Sequence, residues 1–217
     1  MPSHHPDDSS LIEYAAGSLT EAKALLVATH LALCPTCRAG VRSGEVVGCV
    51  LAFTDVEETA LESMPDVATV AMERSKLALS SAGVVVPEPL RGYLGVPIGE
   101  LPWASAWWGM KAYVLPEFAG RSTGVRLLAI EPGRRMPRHT HENQELTLVL
   151  QGSFSDSTGD YGTGDVAIAD NTIDHQPKAS KDGLCLCLAV EDAPPRLTGW
   201  TGDLINAAVD IRRILKL

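Results

Sequence analysis

Between Gly133 and Gly152 the chain reads GRRMPRHTHENQELTLVLQG, and no other stretch limits the fold so sharply. His139 and His141 are two apart, so on an extended strand both imidazoles point to one face. Glu145 follows on the next alternating strand, and Gly152 closes a turn. Farther on, GDVAIADNTIDH brings a third histidine, His175, to the end of a strand and turn that can fold back beside the first. Three imidazoles and a carboxylate make a complete mononuclear metal set, with room for water or a small molecule. Each histidine alone reads more simply as an exposed loop residue. The joint spacing, G-x5-H-x-H-x3-E-x6-G followed by G-x10-H, is too constrained for that reading. Such a set suits zinc, manganese, iron, nickel or copper, and the spacing does not choose among them.

The surroundings of this pattern are strand-like. KAYVLPE, GVRLLAIEPG, ELTLVLQGSFSDS, GDVAIAD and LCLCLAVED recur at short intervals with turns between them, as in a sandwich or closed barrel. Leu146, Leu148 and Leu150 alternate with Thr147, Val149 and Gln151, the period of a strand with one buried face. The first third reads as helix instead. Ser10 with Glu13, and Ser18 with Glu21, have the spacing of capping boxes, Gly17 would stop the first helix, and Pro35 suits the first turn of a third. A fourth helix is expected from Pro65 and Asp66, with Val67, Val70, Ala71 and Leu77 at helical spacing. The prolines of residues 84–92 predict a linker. The expected organisation is therefore α plus all-β in two domains: helices over 1–83, a linker over 84–92, a barrel over 93–200 and a tail over 201–217. Four short helices bury little apolar surface, so a partner is expected to complete their core.

A second set of metal-ligating residues lies in the helical part. His30 and Cys34 are four apart on a helix and share a face, and Cys37 returns from the next turn within reach of the same ion. A closed tetrahedral site needs a fourth ligand, which His4 or His5 can supply from the arm before the first helix. Two other readings compete: a buried cysteine with a capping histidine, and a C-x2-C redox pair, which would call for a preceding strand that the sequence lacks. Structural zinc is the expectation.

With 18 Lys and Arg against 27 Asp and Glu, the net charge is −9. That argues against direct binding of nucleic acid or an anionic membrane and favours a basic protein partner. MPSHHPDDSS lacks the basic and apolar runs of a signal peptide, and no run of about 18 apolar residues is present. A cytoplasmic location is expected, and five cysteines in a reducing compartment are more often metal ligands or redox thiols than disulfides.

The Gly133–Gly152 segment resembles the first motif of the cupin superfamily. The second is looser: Gly164 and His175 hold their places, while Asp170 and Thr172 stand where many cupins have Pro and Gly. The resemblance implies a double-stranded β-helix, or jelly roll. Taken with the HLALCPTC segment, an upstream histidine and the YAAG segment at Tyr14–Gly17, the chain resembles the ChrR family of zinc-binding anti-sigma factors over nearly its whole length. Carried over by position, the resemblance implies zinc ligands at His5, His30, Cys34 and Cys37, and cupin ligands at His139, His141, Glu145 and His175, binding zinc or another divalent transition metal. It further implies a helical domain that binds an extracytoplasmic-function sigma factor, and a cupin that helps release it under singlet oxygen or organic peroxide, with a small oxidised ligand expected in the barrel.

Cys185 and Cys187 form C-x-C on a strand and face the same way. They are either small core residues or a redox pair near the metal. A competing function is a cupin dioxygenase whose helices only dimerise, and a third is a small-ligand module acting on some other partner.

Overall fold

The computed structural model describes residues 1–53, 86–199, 202 and 206. Three helices come first: α1 (Asp8–Ala15), α2 (Glu21–Leu33) and α3 (Pro35–Ala52). Helix α1 begins ahead of the expected capping box. Asp7, not Ser10, is its N-cap, accepting from the Ser10 amide at 2.7 Å, because its short carboxylate reaches the first unpaired N–H groups. Gly17, at φ 68°, ends it in a conformation that suits glycine. Ser18 likewise does not cap α2; Thr20 holds that position without a side-chain bond, and the Ser18 hydroxyl donates back to the Glu13 carbonyl at 3.2 Å. Pro35 does open α3, and the chain turns by 119° between α2 and α3 at Cys34. The expected fourth helix, and nearly all of the 201–217 tail, lie outside the described residues. Among the described residues no single helix is long and apolar enough to cross a membrane.

The expected linker needs correction at its end. Residues Glu88–Leu94 form a fourth described helix, α4, with Pro89 in its first turn, where a missing N–H costs nothing. The prolines start this helix rather than forbid it. Its Leu90 and Leu94 are buried, as is Val86 before it.

Strands β1 (Ala104–Trp107), β2 (Met110–Val114), β3 (Gly124–Ile130), β5 (Glu145–Gln151), β8 (Val166–Ala169) and β10 (Cys185–Glu191) build an antiparallel sheet in the order β1-β2-β3-β10-β5-β8. A smaller sheet pairs β7 (Asp160–Gly162), β6 (Ser153–Ser155) and β9 (Lys178–Ala179), and β11 (Arg196–Leu197) pairs with β4 (His139–Thr140). This is the jelly roll of the cupin fold.

Both faces of the large sheet are covered, which explains why every residue of β10 is buried. Cys185, Cys187 and Ala189 point into the barrel with Leu128, Ile130 and Val149. Leu186, Leu188 and Val190 point outward and form one core with Leu146, Leu148, Leu90 and, from α2, Ala22, Leu25 and Leu26. The barrel therefore supplies much of the apolar contact that α2 needs. Polar contacts fix the seam: Lys23 Nζ donates to Gln144 Oε1 and pairs with Asp192 Oδ2, both at 3.1 Å, and Glu21 pairs with Arg121 at 2.7 Å.

Candidate metal centres

In the helical part the turn at Cys34 does what the spacing implied. His30 and Cys34 sit on the last turn of α2 and the α2–α3 break, and Cys37 closes the first turn of α3, its amide donating to the Cys34 sulfur at 3.5 Å. The arm brings in His5, whose Nδ1 lies 3.6 Å from Cys34 Sγ and 3.3 Å from Cys37 Sγ. His4 turns away to Asp165 and Tyr161. One ligand atom from each of His5, His30, Cys34 and Cys37 falls within 4.8 Å of all the others.

The chemistry of the donors fits a metal. His30 is fully buried, and its Nδ1 lies 2.8 Å from the Gly164 carbonyl. A carbonyl only accepts, so Nδ1 carries the proton and Nε2 is left with a free lone pair. That Nε2 is buried with no hydrogen-bond partner. Outer hydrogen bonds of this kind orient metal-bound histidines. Burial holds the His30 imidazole below its usual value, in the neutral form a ligand needs. Burial, then the Cys34 thiol, pushes Cys37 up to about 12. Reactive C-x2-C thiols have the opposite displacement. No strand precedes Cys34 among the described residues, so the redox-pair context is absent there as well.

The barrel set assembles from three segments. His139 and His175 face each other across an antiparallel bridge, their amides and carbonyls exchanging bonds at 3.0 Å. His141 follows β4, and Glu145 opens β5. Where Pro and Gly were missing, Asp170 accepts from the Thr172 amide at 2.9 Å and the Thr172 hydroxyl at 2.6 Å. This Asx turn does the same work, so the departure in the second motif leaves His175 in place. The Nε2 atom of His175 lies 3.1 Å from Nε2 of both His139 and His141. Behind them, His139 Nδ1 meets the Pro137 carbonyl at 2.8 Å and His175 Nδ1 meets Asp156 Oδ2 at 2.7 Å. Both rings are thus protonated on the outside and present lone pairs to each other, an arrangement that a shared cation satisfies.

Glu145 completes the set, its Oε2 2.9 Å from His141 Nε2 and its Oε1 accepting from the Thr147 hydroxyl at 3.0 Å. Burial would raise its carboxyl, but the His141 hydrogen bond and the charges of His141, His139 and Arg126 outweigh that and hold it at about 2. Burial pushes His139 down to about 4, so this ligand is neutral near pH 7. Beside the set lies a cavity of about 30 Å³, lined among others by Met136, Phe154, Ala167 and Cys187, with room for one or two water-sized groups.

Cys185 and Cys187 do face the same way, their sulfurs 3.6 Å apart. Both are buried in the barrel core, and Cys187 also lines the cavity. Hydrogen bonding to Cys185, then burial, holds the Cys187 thiol well above its usual value. A thiol so firmly protonated is a poor nucleophile, which favours the core reading for the resting protein. Of the tryptophans, Trp103 packs on the outer core and donates to the Ile98 carbonyl at 3.0 Å, while Trp108 is exposed. The sequence reading did not single out Asp156, Asp165 or Gly164 as partners behind the ligands; their partners lie far away in sequence, and no local spacing signals them.

A family profile described as the ChrR Cupin-like domain matches residues 93–193. A relative, the anti-sigma-E factor ChrR of Cereibacter sphaeroides, is 38% identical over 210 residues, covering 94% of this chain and 96% of its own length. The crystal structure of Rhodobacter sphaeroides SigE in complex with the anti-sigma ChrR aligns at 36% identity and a TM-score of 0.70, covering 88% of this chain and 99% of that one.

Proposed function

Because the chain belongs to the ChrR family of anti-sigma factors, we propose that its helical segment sequesters an extracytoplasmic-function sigma factor and that its barrel takes part in the release under oxidative stress. The partner is inferred from the homologue crystallised with SigE, which aligns with most of this chain. We propose a cytoplasmic location, where such a partner would act.

The reading rests above all on the last turns of α3. Its first half is tied to α1 and the metal ligands, with Cys37 and Val41 buried. Past Gly44 the helix and its C-cap present Val46, Val47, Val50 and Phe53 at 51–63% exposure. An apolar stripe at helical spacing, displayed next to a rigid metal site, is the profile of a helix that lies in a partner's groove. The double change Val47→Asp and Val50→Asp is expected to weaken sigma-factor binding by roughly 30-fold or more, the scale of about 2 kcal/mol at an interface hot spot. Thermal stability should stay close to wild type, since both side chains are exposed. Unchanged affinity in a pull-down or titration would reject α3 as the binding surface.

We assign zinc to His5, His30, Cys34 and Cys37, a two-thiolate, two-imidazole set of the closed tetrahedral type. We assign zinc or another divalent transition metal to His139, His141, Glu145 and His175. A metal there would supply an exchangeable coordination position, and the adjoining cavity offers space beside it for an oxidant or a small oxidised ligand. Elemental analysis of untreated full-length protein is expected to find two metal ions per chain, zinc among them; one or none would count against these assignments.

A further inference from the structure

The helical metal site is not built by the helices alone. His30, Cys34 and Cys37 are buried, but His5 is exposed, and the arm that carries it precedes the first helix. Something must hold that arm. On the far side Asp7 and buried Pro6 tie it to α1. On the near side it is tied to the barrel: the Ser3 and His4 amides donate to Asp165 Oδ1 at 2.6 and 3.0 Å, and the Val166 amide donates to the His4 carbonyl at 3.1 Å. The other Asp165 oxygen accepts from the Gly162 amide at 2.8 Å, which fixes the carboxylate itself. The preceding residue of the same loop, Gly164, orients the ring of His30 through its carbonyl.

We propose that Asp165 of the barrel is a positioning residue for the helical metal site, holding residues 3 and 4 so that His5 is presented to the ion. The inference deepens the zinc assignment above and rests on it. Asp165 does not touch the site; it acts through His5. Three ligands are immobilised by burial, whereas His5 depends on the chain at either side of it, so loss of Asp165 should free the one ligand that is not otherwise locked. Retention of zinc by the helices thereby becomes a property of the whole chain.

The test uses full-length protein, with Co(II) in place of zinc so that thiolate-to-cobalt absorption reports the cysteine site alone. In a chelator competition, Asp165→Ala should lose that band about 10-fold faster than wild type, the lower end of what outer hydrogen-bond partners contribute to metal affinity. Its spectrum should move toward that of His5→Ala. Asp165→Asn, which keeps one carbonyl acceptor for the Ser3 and His4 amides, should fall between. In a His5→Ala background, Asp165→Ala should add nothing, and the barrel metal, followed by elemental analysis, should be retained throughout. Release at the wild-type rate, additive effects with His5→Ala, or loss of both metals together would overturn the proposal, the last because it would mark a role in folding the barrel. Wild type that shows no thiolate band would instead overturn the zinc assignment and this inference with it.

Discussion

Cys34→Ser or Cys37→Ser is expected to empty the helical metal site and unfold most of the segment around it. Among the described residues, helices α1 and α3 meet α2 through a small core of Val27, Leu31, Cys34, Cys37 and Val41, with Leu11, Tyr14, Ala15 and Leu19 packed at its edge. So small a cluster cannot offset the chain entropy of ordering those residues, at about 1–2 kcal/mol each. A structural zinc ion contributes folding free energy of about 10 kcal/mol or more in domains of this size. The loss should be uneven. Ala22, Leu25 and Leu26 remain packed on the barrel, so α2 should keep part of its helicity while α1 and α3 melt. Circular dichroism with hydrogen exchange would resolve the two, and wild-type melting in a variant shown to lack zinc would sink the structural role.

The second large effect lies in the barrel. His141→Ala or Glu145→Ala removes part of the His139, His141, His175 and Glu145 cluster, far along the chain from the exposed end of α3. Inhibition of sigma-dependent transcription should therefore persist while induction by singlet oxygen or organic peroxide is lost. Shifting a complex from almost fully bound to almost fully free takes about 5.5 kcal/mol of differential binding. A change in metal coordination can supply that; a weak contact on the barrel surface cannot. Reporter transcription in cells carrying each variant decides the matter, and full induction in both would exclude the barrel metal from sensing.

Most of the candidate ligands were legible as clusters because their spacings are local. An HxH pair on a strand and an HxxxC pair on a helix each fix a shared face within five residues, and Pro35 marks its own turn. Helix starts were less legible: Asp7 outcompetes Ser10 because both can cap and only the fold decides which residue the arm presents. The alternation of Leu146 and Leu148 correctly signals a strand, but it does not say what covers the leucines. They face α2 and α4, while Glu145, Thr147 and Val149 carry the barrel side. Prolines at 87 and 89 suggested a break, yet proline in a helix's first turn is as favourable as in a loop, and only the burial of Leu90 and Leu94 distinguishes them. Asp165 meets the arm across 162 residues of sequence, and nothing in either segment alone announces it.

That α2 borrows its core from the barrel also sets an order of events during synthesis. The leucines of α2 leave the ribosome early, but the outward side chains of β10 that cover them, Leu186, Leu188 and Val190, come near the end. At about 5–20 residues per second, the interval between Leu33 and Glu191 is on the order of ten seconds or longer. During that time Leu25 and Leu26 have no barrel to pack against, and α2 is short enough to be only marginally helical by itself. A nascent chain therefore leaves the barrel-facing side of α2 uncovered until β10 is made, so the helical segment completes its packing only after the barrel does.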